Sequence, residues 1–475
     1  MKKIILIILS VVLVTTSCRR NITDLNVDPK NPSSGPSYSF FTNAQRTLMN
    51  TVTSSNVNLN IFRLIVQYWQ ETTYTDESNY DLATRSIHDA VWNALYRDVL
   101  RDLQESKNLI PTDVLDADTR KNQIAIADIM QVVAWYYLVT TYGNIPYTEA
   151  LDISKPFPKY DDAKTIYYDL LNRLNTDISN LNTSGESFGD ADIIYGGDVA
   201  AWKNFANSFK LKMGMTIADD DNAKAKATVE SAVASGVFTS NADNAEFQYS
   251  SSPPNTNPIW VDLIQSGRKD FVAASTIVNA MKNRNDPRLD DYFTLDANNT
   301  YSGGNPGASS NYSTFSKPDE AITAPDFPAL LLDYSEVEFF LAEAVERGYS
   351  VGGTAQLHYN NAVTASIVYW GGTTTEATTY LAQASVDYLT APGTYKQKIG
   401  TQKWIALYNR GWDAWIEWRR LDYPQLTPAV DALSAIPLRY PYPVNEQNVN
   451  RINYEAAAAA IGGDFVTTKL WWDKF

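Results

Sequence analysis

One cysteine, Cys18, and two histidines, His88 and His358, are all that 475 residues offer in the way of soft metal ligands. A lone thiol forms no internal disulfide, and no cysteine–histidine cluster of metal-ligand spacing can be assembled, so a zinc centre is excluded and no cofactor is implied. Positive charge is also short. Against 54 Asp and Glu stand 39 Lys and Arg, a net charge of −15. Such a surface repels phosphates, which disfavours nucleic acid and anionic lipid headgroups as partners. Past the N-terminus no apolar run reaches the roughly 18 residues that a spanning helix needs. What remains is ordinary for a globular chain: 44% apolar and 20% charged residues, enough for a sizeable core.

The N-terminus has its own pattern. Lys2 and Lys3 precede the apolar stretch Ile4 to Val14, and Thr15, Thr16 and Ser17 lead into Cys18. This is signal-peptide architecture over residues 1–17. Cleavage before Cys18 makes it the first residue of the mature chain, where its thiol can carry a diacylglyceryl group, although the leucine usual three places earlier is here Thr15. Each buried methylene contributes about 0.8 kcal/mol, so two or more chains hold a protein at a membrane. Loss of residues 1–17 removes two lysines and no acids, leaving 37 basic and 54 acidic residues, a net −17. Residues 18–37, with Pro29, Pro32, Gly35 and Pro36 among them, read as a lipidated N-terminus and extended tether.

From residue 38 onward helical periodicity dominates. It predicts helices near 43–54, 58–71, 86–109, 120–141, 161–182, 198–218, 222–235, 331–348, 354–370 and 400–418. Antiparallel pairs joined by short turns recur, in the manner of tetratricopeptide units without their strict consensus. Strand signals are few, AEFQYS around Phe247 being the best. Between about 251 and 328, Pro, Gly, Asn and Ser concentrate, which predicts a loop-rich insertion on a helical scaffold.

The most aromatic stretch, WIALYNRGWDAWIEWRR, places Trp404, Tyr408, Trp412, Trp415 and Trp418 within one stripe of a regular helix, with Asp413 and Glu417 opposite. Such a stripe is a packing seam rather than a ligand shelf. Gly185-Glu186-Ser187-Phe188-Gly189 has nucleophile-elbow spacing but lacks the strand before and helix after that an elbow requires. The acid pairs Asp161/Asp162, Asp219 to Asp221 and Asp290/Asp291 do not single out an acid and a nucleophile for glycoside hydrolysis. His88 and His358 fall in helices, as packing or surface residues. No catalytic residue is assigned.

Several further segments occur together: NVDPKNP from Asn26, TYGNIPYTEAL from Thr141, NDPRLDDYF from Asn285, SEVEFFLAEAVERGY from Ser335, HYNNAVTASIVYWG from His358, IGTQKWIALYNRGWDAWIEWRRLDYP, and PLRYPYPVNEQNVN. With Cys18 in front, the chain resembles the SusD/RagB family of outer-membrane nutrient-binding lipoproteins. The small Ala342 and Ala344 suit close helix approach, Arg419 and Arg420 can tie helix ends, and the prolines of PYPVNEQNVN favour extended backbone. The resemblance implies a mostly α, SusD-like single domain over 38–475, built on four tetratricopeptide-like helix pairs with the loop-rich insertion. It also implies anchoring at the outer membrane facing outward, an oligosaccharide or peptide ligand, and a partner, a SusC-like TonB-dependent transporter over which the protein sits as a lid.

Binding residues do not transfer from the resemblance, because they lie in variable loops. Trp69, Tyr74, Asn79 and Tyr80, in YWQETTYTDESNY, and Tyr292, Tyr301 and Tyr312, in or beside the insertion, are the candidates, since aromatic rings flanked by amides and carboxylates suit a polyhydroxylated ligand. A non-enzymatic nutrient-binding lipoprotein is the reading these features favour. The alternatives are a helical glycan-degrading enzyme and a helical-repeat adaptor that binds only proteins.

Overall fold

The computed structural model describes residues 35–475, with Ser37–Phe475 forming one unit. The signal segment, Cys18 and nearly all of the tether lie outside the described residues.

Acidic residues begin many of the helices. Asp116 accepts the Thr119 N–H (2.7 Å) ahead of Ala117–Tyr142 (α3), and Asp162 accepts that of Thr165 (2.8 Å) ahead of Ala163–Asn180 (α4). Asp198 and Asp221 do the same for Val199–Thr216 (α5) and Asn222–Ser235 (α6). Asp333 and Thr354 cap Tyr334–Glu346 (α7) and Ala355–Tyr369 (α8). Such caps satisfy N–H groups that have no partner inside the helix, so part of the chain's negative charge is structural. Before these come Ser37–Thr53 (α1) and a long rod (α2) running from Ile87–Asn93 through a π-helical turn, Ala94–Leu100, into Arg101–Asp113.

Helices neighbouring in sequence pack as pairs. α3 lies on α4, α5 on α6, and α7 on α8; Tyr395–Ala406 (α10) lies on Gly411–Leu421 (α11), with Thr374–Leu381 (α9) packed beside α8. These are the four tetratricopeptide-like pairs. α3 is the one described helix long and apolar enough to cross a membrane, with a mean hydropathy of 1.4 over its best window; 94% of that window is buried inside the protein. It is the central core helix.

The strands are short, and two of the three pairs join distant parts of the chain. Trp69–Glu71 (β1) pairs antiparallel with Phe271–Ala273 (β5), Ile145–Pro146 (β2) with Tyr160–Asp161 (β3), and Ala245–Phe247 (β4) with Ala329–Leu332 (β6). β4 is the AEFQYS strand. Gly143, at φ 90°, ends α3 before β2.

Three expectations are corrected. The helix expected over 58–71 is only Phe62–Ile65; Gln67 takes a left-handed φ of 59°, and the chain leaves as β1. The helix expected over 400–418 is two, α10 and α11, broken at Leu407–Arg410, where the Arg410 N–H turns back to the Leu407 carbonyl (2.8 Å). PYPVNEQNVN contains the helix Val444–Val449 (α12), followed by Arg451–Ala460 (α13). Pro443 supplies an extended entry and costs no helical N–H.

The aromatic seam is core: Trp404, Tyr408, Trp412 and Trp415 are buried, and Trp418 nearly so. The opposite face is buried too. Asp413 and Glu417 belong to an ionic ladder that the sequence does not display. Lys212 of α5 sits between Asp413 and Glu336, and Arg410 reaches Glu336 (2.7 Å) and Asp413 (2.9 Å). Arg420 reaches Glu343 and Glu417 (2.6 Å each), Lys403 reaches Glu417 (2.8 Å), and Arg347 joins Glu343 to Asp219 (2.8 Å each). The AEA and EWRR motifs thus meet through Glu343 and Arg420. Arg419 donates to the Thr140 (2.9 Å) and Leu438 (2.7 Å) carbonyls, tying the end of α3 to the C-terminal segment.

Candidate functional site

The segment from Trp69 to Tyr80 leaves β1 and is laced to two others far away in sequence. Beyond the β1–β5 pairing, the Thr72 N–H donates to the Asp270 carbonyl (2.8 Å), and the Thr72 carbonyl accepts from the Ser310 N–H (3.0 Å) and Ser309 Oγ (2.8 Å). Gln70 clamps the insertion: its Nε2 donates to the Ala308 carbonyl and its Oε1 accepts the Gly307 N–H, both at 2.8 Å. Asn79 Nδ2 donates to the Gly307 carbonyl (2.8 Å), while its Oδ1 accepts the Asp431 N–H (3.2 Å) and its carbonyl the Leu433 N–H (3.0 Å). Tyr80 Oη accepts the Ala429 N–H (3.2 Å). Residues 69–80, 303–312 and 427–433 therefore form one face.

Gly307, at φ 86°, is required there. A Cβ would lie 2.3 Å from Asn79 Oδ1 and 2.9 Å from the Val430 nitrogen. Beneath the face runs an aromatic pillar. Trp69 Nε1 donates to Tyr408 Oη (2.8 Å), and the Tyr408 ring stacks on Tyr292 at 4.2 Å. Tyr292 Oη donates to the Ile405 carbonyl (3.0 Å).

The seven sequence candidates divide accordingly. Trp69 and Tyr292, 2% and 0% exposed, have no free ring face, and Tyr80 and Asn79 are buried with their polar atoms spent on the loops. They are supports, because aromatic area adjoining a core is worth more buried than wet. Tyr74 is 79% exposed and holds a left-handed φ of 55°, an uncommon backbone for a bulky side chain. Tyr312 is half-buried, its ring flanked by Lys269 Nζ (5.6 Å) and Lys317 Nζ (5.4 Å). Tyr301 is half-buried, with Lys282 Nζ donating to its carbonyl (2.7 Å).

A cleft of about 680 Å³ opens beside Tyr312, lined also by Thr72, Thr73, Lys269, Asp270 and Asn311. Sequence reasoning missed Lys269 and Asp270, and the 427–433 wall. Asn311 adjoins a chosen tyrosine, but nothing in the sequence marks residues 427–433. Hydroxyls, an amide, a carboxylate and an ammonium converging around a ring can hydrogen-bond a polyol in several directions. Below the cleft, burial pushes the Glu71 carboxyl up to about 8 against the Ser78 hydrogen bonds, with Glu77 adding to the rise, so Glu71 is largely protonated at neutral pH.

The other motifs have structural work. Ser187 Oγ donates to the Gly197 carbonyl (2.7 Å), and what precedes its segment is α4, not a strand. Asp161 accepts from the Tyr147 (3.2 Å) and Thr148 (2.8 Å) N–H groups; Asp219 binds Arg347 and Lys396, Asp220 binds Lys164, and Asp221 caps α6. Both histidines are buried, His358 against Glu338 at 2.7 Å and His88 against the Leu82 carbonyl at 3.1 Å. Among the described residues no group of three His, Cys, Asp or Glu side chains is placed to hold a metal ion.

A family model, SusD-like and described as starch-binding and associating with the outer membrane, matches residues 29–443. No curated protein shows significant sequence similarity. Among solved structures, a chitin-binding protein is 26% identical over 92% of this chain and 100% of its own, with a TM-score of 0.81. A SusD homologue from Bacteroides uniformis is 27% identical over 92% and 99%, at 0.80. A chitin-binding SusD homologue from Flavobacterium johnsoniae, 24% identical over 92% and 98%, also at 0.80, shares the fold. With the paired-helix scaffold and a family match that spans most of its length, the chain belongs to the SusD-like family.

Proposed function

We propose that this protein is a non-enzymatic, outer-membrane lipoprotein that captures an oligosaccharide on the Tyr74–Tyr312 face and passes it to a SusC-like TonB-dependent transporter, over which it acts as a lid. On this reading residues 1–17 are a cleaved signal, Cys18 carries the lipid, residues 18–37 are a surface-exposed tether, and 38–475 is the binding domain. One observation carries it: an exposed tyrosine in a strained backbone, beside a hydroxyl- and amide-lined cleft, in a family described as starch-binding. The flat C–H face of a pyranose packs on such a ring while polar groups orient its hydroxyls. Binding proteins for chitin among the relatives support a glycan ahead of a peptide.

Isothermal titration with chitooligosaccharides, maltooligosaccharides and a peptide digest tests the face. Tyr74→Ala and Tyr312→Ala are expected to weaken whichever ligand binds by about tenfold, the loss of one good stacking contact with its hydrogen bonds, without lowering thermal stability. Unaltered affinity in both variants removes this face from the site. Gentle extraction is expected to bring down a large outer-membrane barrel, and incubation with polysaccharides is expected to release no reducing ends.

A further inference from the structure

A second cleft, of about 650 Å³, opens where α1 passes the π turn of α2 and the segment 247–256. It runs into a neighbouring cleft of about 600 Å³, the two sharing Arg46, Phe247 and Asn255. None of these residues lines the Tyr312 cleft. We propose that this groove is a separate saccharide site selective for acidic sugars, with Arg46 receiving the anionic group.

The charge is the first reason. Arg46 is exposed, and its two side-chain hydrogen bonds go to neutral acceptors, Asn43 Oδ1 (3.0 Å) and Asn255 Oδ1 (3.3 Å); no carboxylate pairs with it among the described residues. Two amide oxygens orient the guanidinium and leave its full charge uncompensated. In the same cleft Arg97 is held by Asp98 through bonds of 2.6 and 2.8 Å, which neutralises that pair. The first cleft therefore carries one net positive charge on a chain whose total is −15. Asp190 lines the neighbouring cleft and brings the joined groove to neutrality, so the positive charge is confined to the first cleft, around Arg46. A guanidinium with donors to spare matches a carboxylate or sulfate in fork geometry.

Lining chemistry is the second. Phe247 and Tyr249, edge to face at 4.6 Å and both buried, form an apolar floor beneath the polar lining. Tyr249 Oη donates to Asn50 Oδ1 (2.9 Å); the Asn50 NH₂ has no acceptor among the described residues, and the exposed Asn93 side chain makes no hydrogen bond among them. Free amides beside rings suit sugar hydroxyls. The third is the π turn, which begins just after Asn93 and carries Ala94 and Arg97 along the cleft, since π turns within α-helices recur at functional sites.

The test titrates the full chain in detergent with trigalacturonate and with neutral maltotriose at low and high salt. In a Tyr74→Ala/Tyr312→Ala double variant, which disables the first face, trigalacturonate is expected to bind more tightly than maltotriose and to weaken with salt. Arg46→Ala is expected to reduce its affinity about tenfold or more, as for a hydrogen bond to a charged group, and Asn93→Ala severalfold, with unchanged circular dichroism. Tyr74→Ala and Tyr312→Ala are expected to leave trigalacturonate binding intact, so failure at the first face is distinguishable from failure here. Equal or weaker binding of trigalacturonate than of maltotriose by that double variant overturns the proposal. So does unchanged affinity in Arg46→Ala or Asn93→Ala, or loss of trigalacturonate binding in Tyr74→Ala.

Discussion

Glu343, in the middle of the AEA motif, is wholly buried, and burial alone would raise its pKa. Arg420 and Arg347 instead hold it down at about 2, from an ordinary 4.5. A carboxylate depressed on folding contributes stability above its unfolded pKa and loses it as pH falls through the folded value. From 4.5 to about 2, at 1.36 kcal/mol per pH unit, the contribution at pH 7 is about 3 kcal/mol. That agrees with the 3–5 kcal/mol expected when one partner of a buried ion pair is removed. Glu343→Gln keeps the shape and deletes the charge. With an unfolding entropy of about 2.1 cal/mol/K per residue, a domain of roughly 440 residues loses about 3 °C of melting temperature for 3 kcal/mol. At pH 3 the wild-type carboxylate has given up more than half of this contribution, so the gap between variant and wild type narrows to about 1 kcal/mol. Differential scanning calorimetry at pH 7 and pH 3 measures both. A shift under 1 °C at pH 7, or an equal shift at both pH values, refutes the ladder as a source of stability.

Glu71 has the opposite sign. A carboxyl raised to about 8 makes stability fall as pH climbs from about 4.5 to 8, so Glu71→Gln is expected to raise the melting temperature at pH 8 and leave it unchanged at pH 4, measured by thermal denaturation. Trp69→Ala removes a buried indole and its bond to Tyr408, at a cost of about 3–5 kcal/mol in urea denaturation, whereas Tyr74→Ala is expected to cost under about 0.5 kcal/mol. Gly307→Ala is expected to lower both stability and ligand affinity, because its Cβ collides with Asn79 and the Val430 backbone; a titration matching wild type would contradict this. Cys18→Ala is expected to move the protein from the membrane to soluble or unprocessed fractions in a fractionation blot.

Helices with strong periodicity and an acidic or hydroxyl cap are legible in the chain itself, as α3 through α8 show, because capping and one-sided burial are local properties. The stretch 58–71 is not. Its helical pattern yields to β1 because Gln67 adopts a left-handed backbone and its Nε2 donates to the Thr427 carbonyl (2.6 Å), a partner 360 residues away. At the candidate face the segment that the sequence marks, Trp69 to Tyr80, mixes buried supports with exposed groups. Trp69 and Tyr74 look alike as letters; only the pillar of Tyr408 and Tyr292 buries one of them.

The amino-acid sequence by itself determined the helical class, the loop-rich insertion, the aromatic seam as core and the absence of a cysteine–histidine metal centre, since each follows from composition or from spacing within a few turns. Tertiary structure alone decided that Glu343, Glu417 and Asp413 are buried in salt bridges, which tyrosines meet solvent, and that Arg46 has no carboxylate partner among the described residues. Those outcomes depend on groups brought together from distant parts of the chain, where the same charge or ring is stabilised or exposed according to its neighbours.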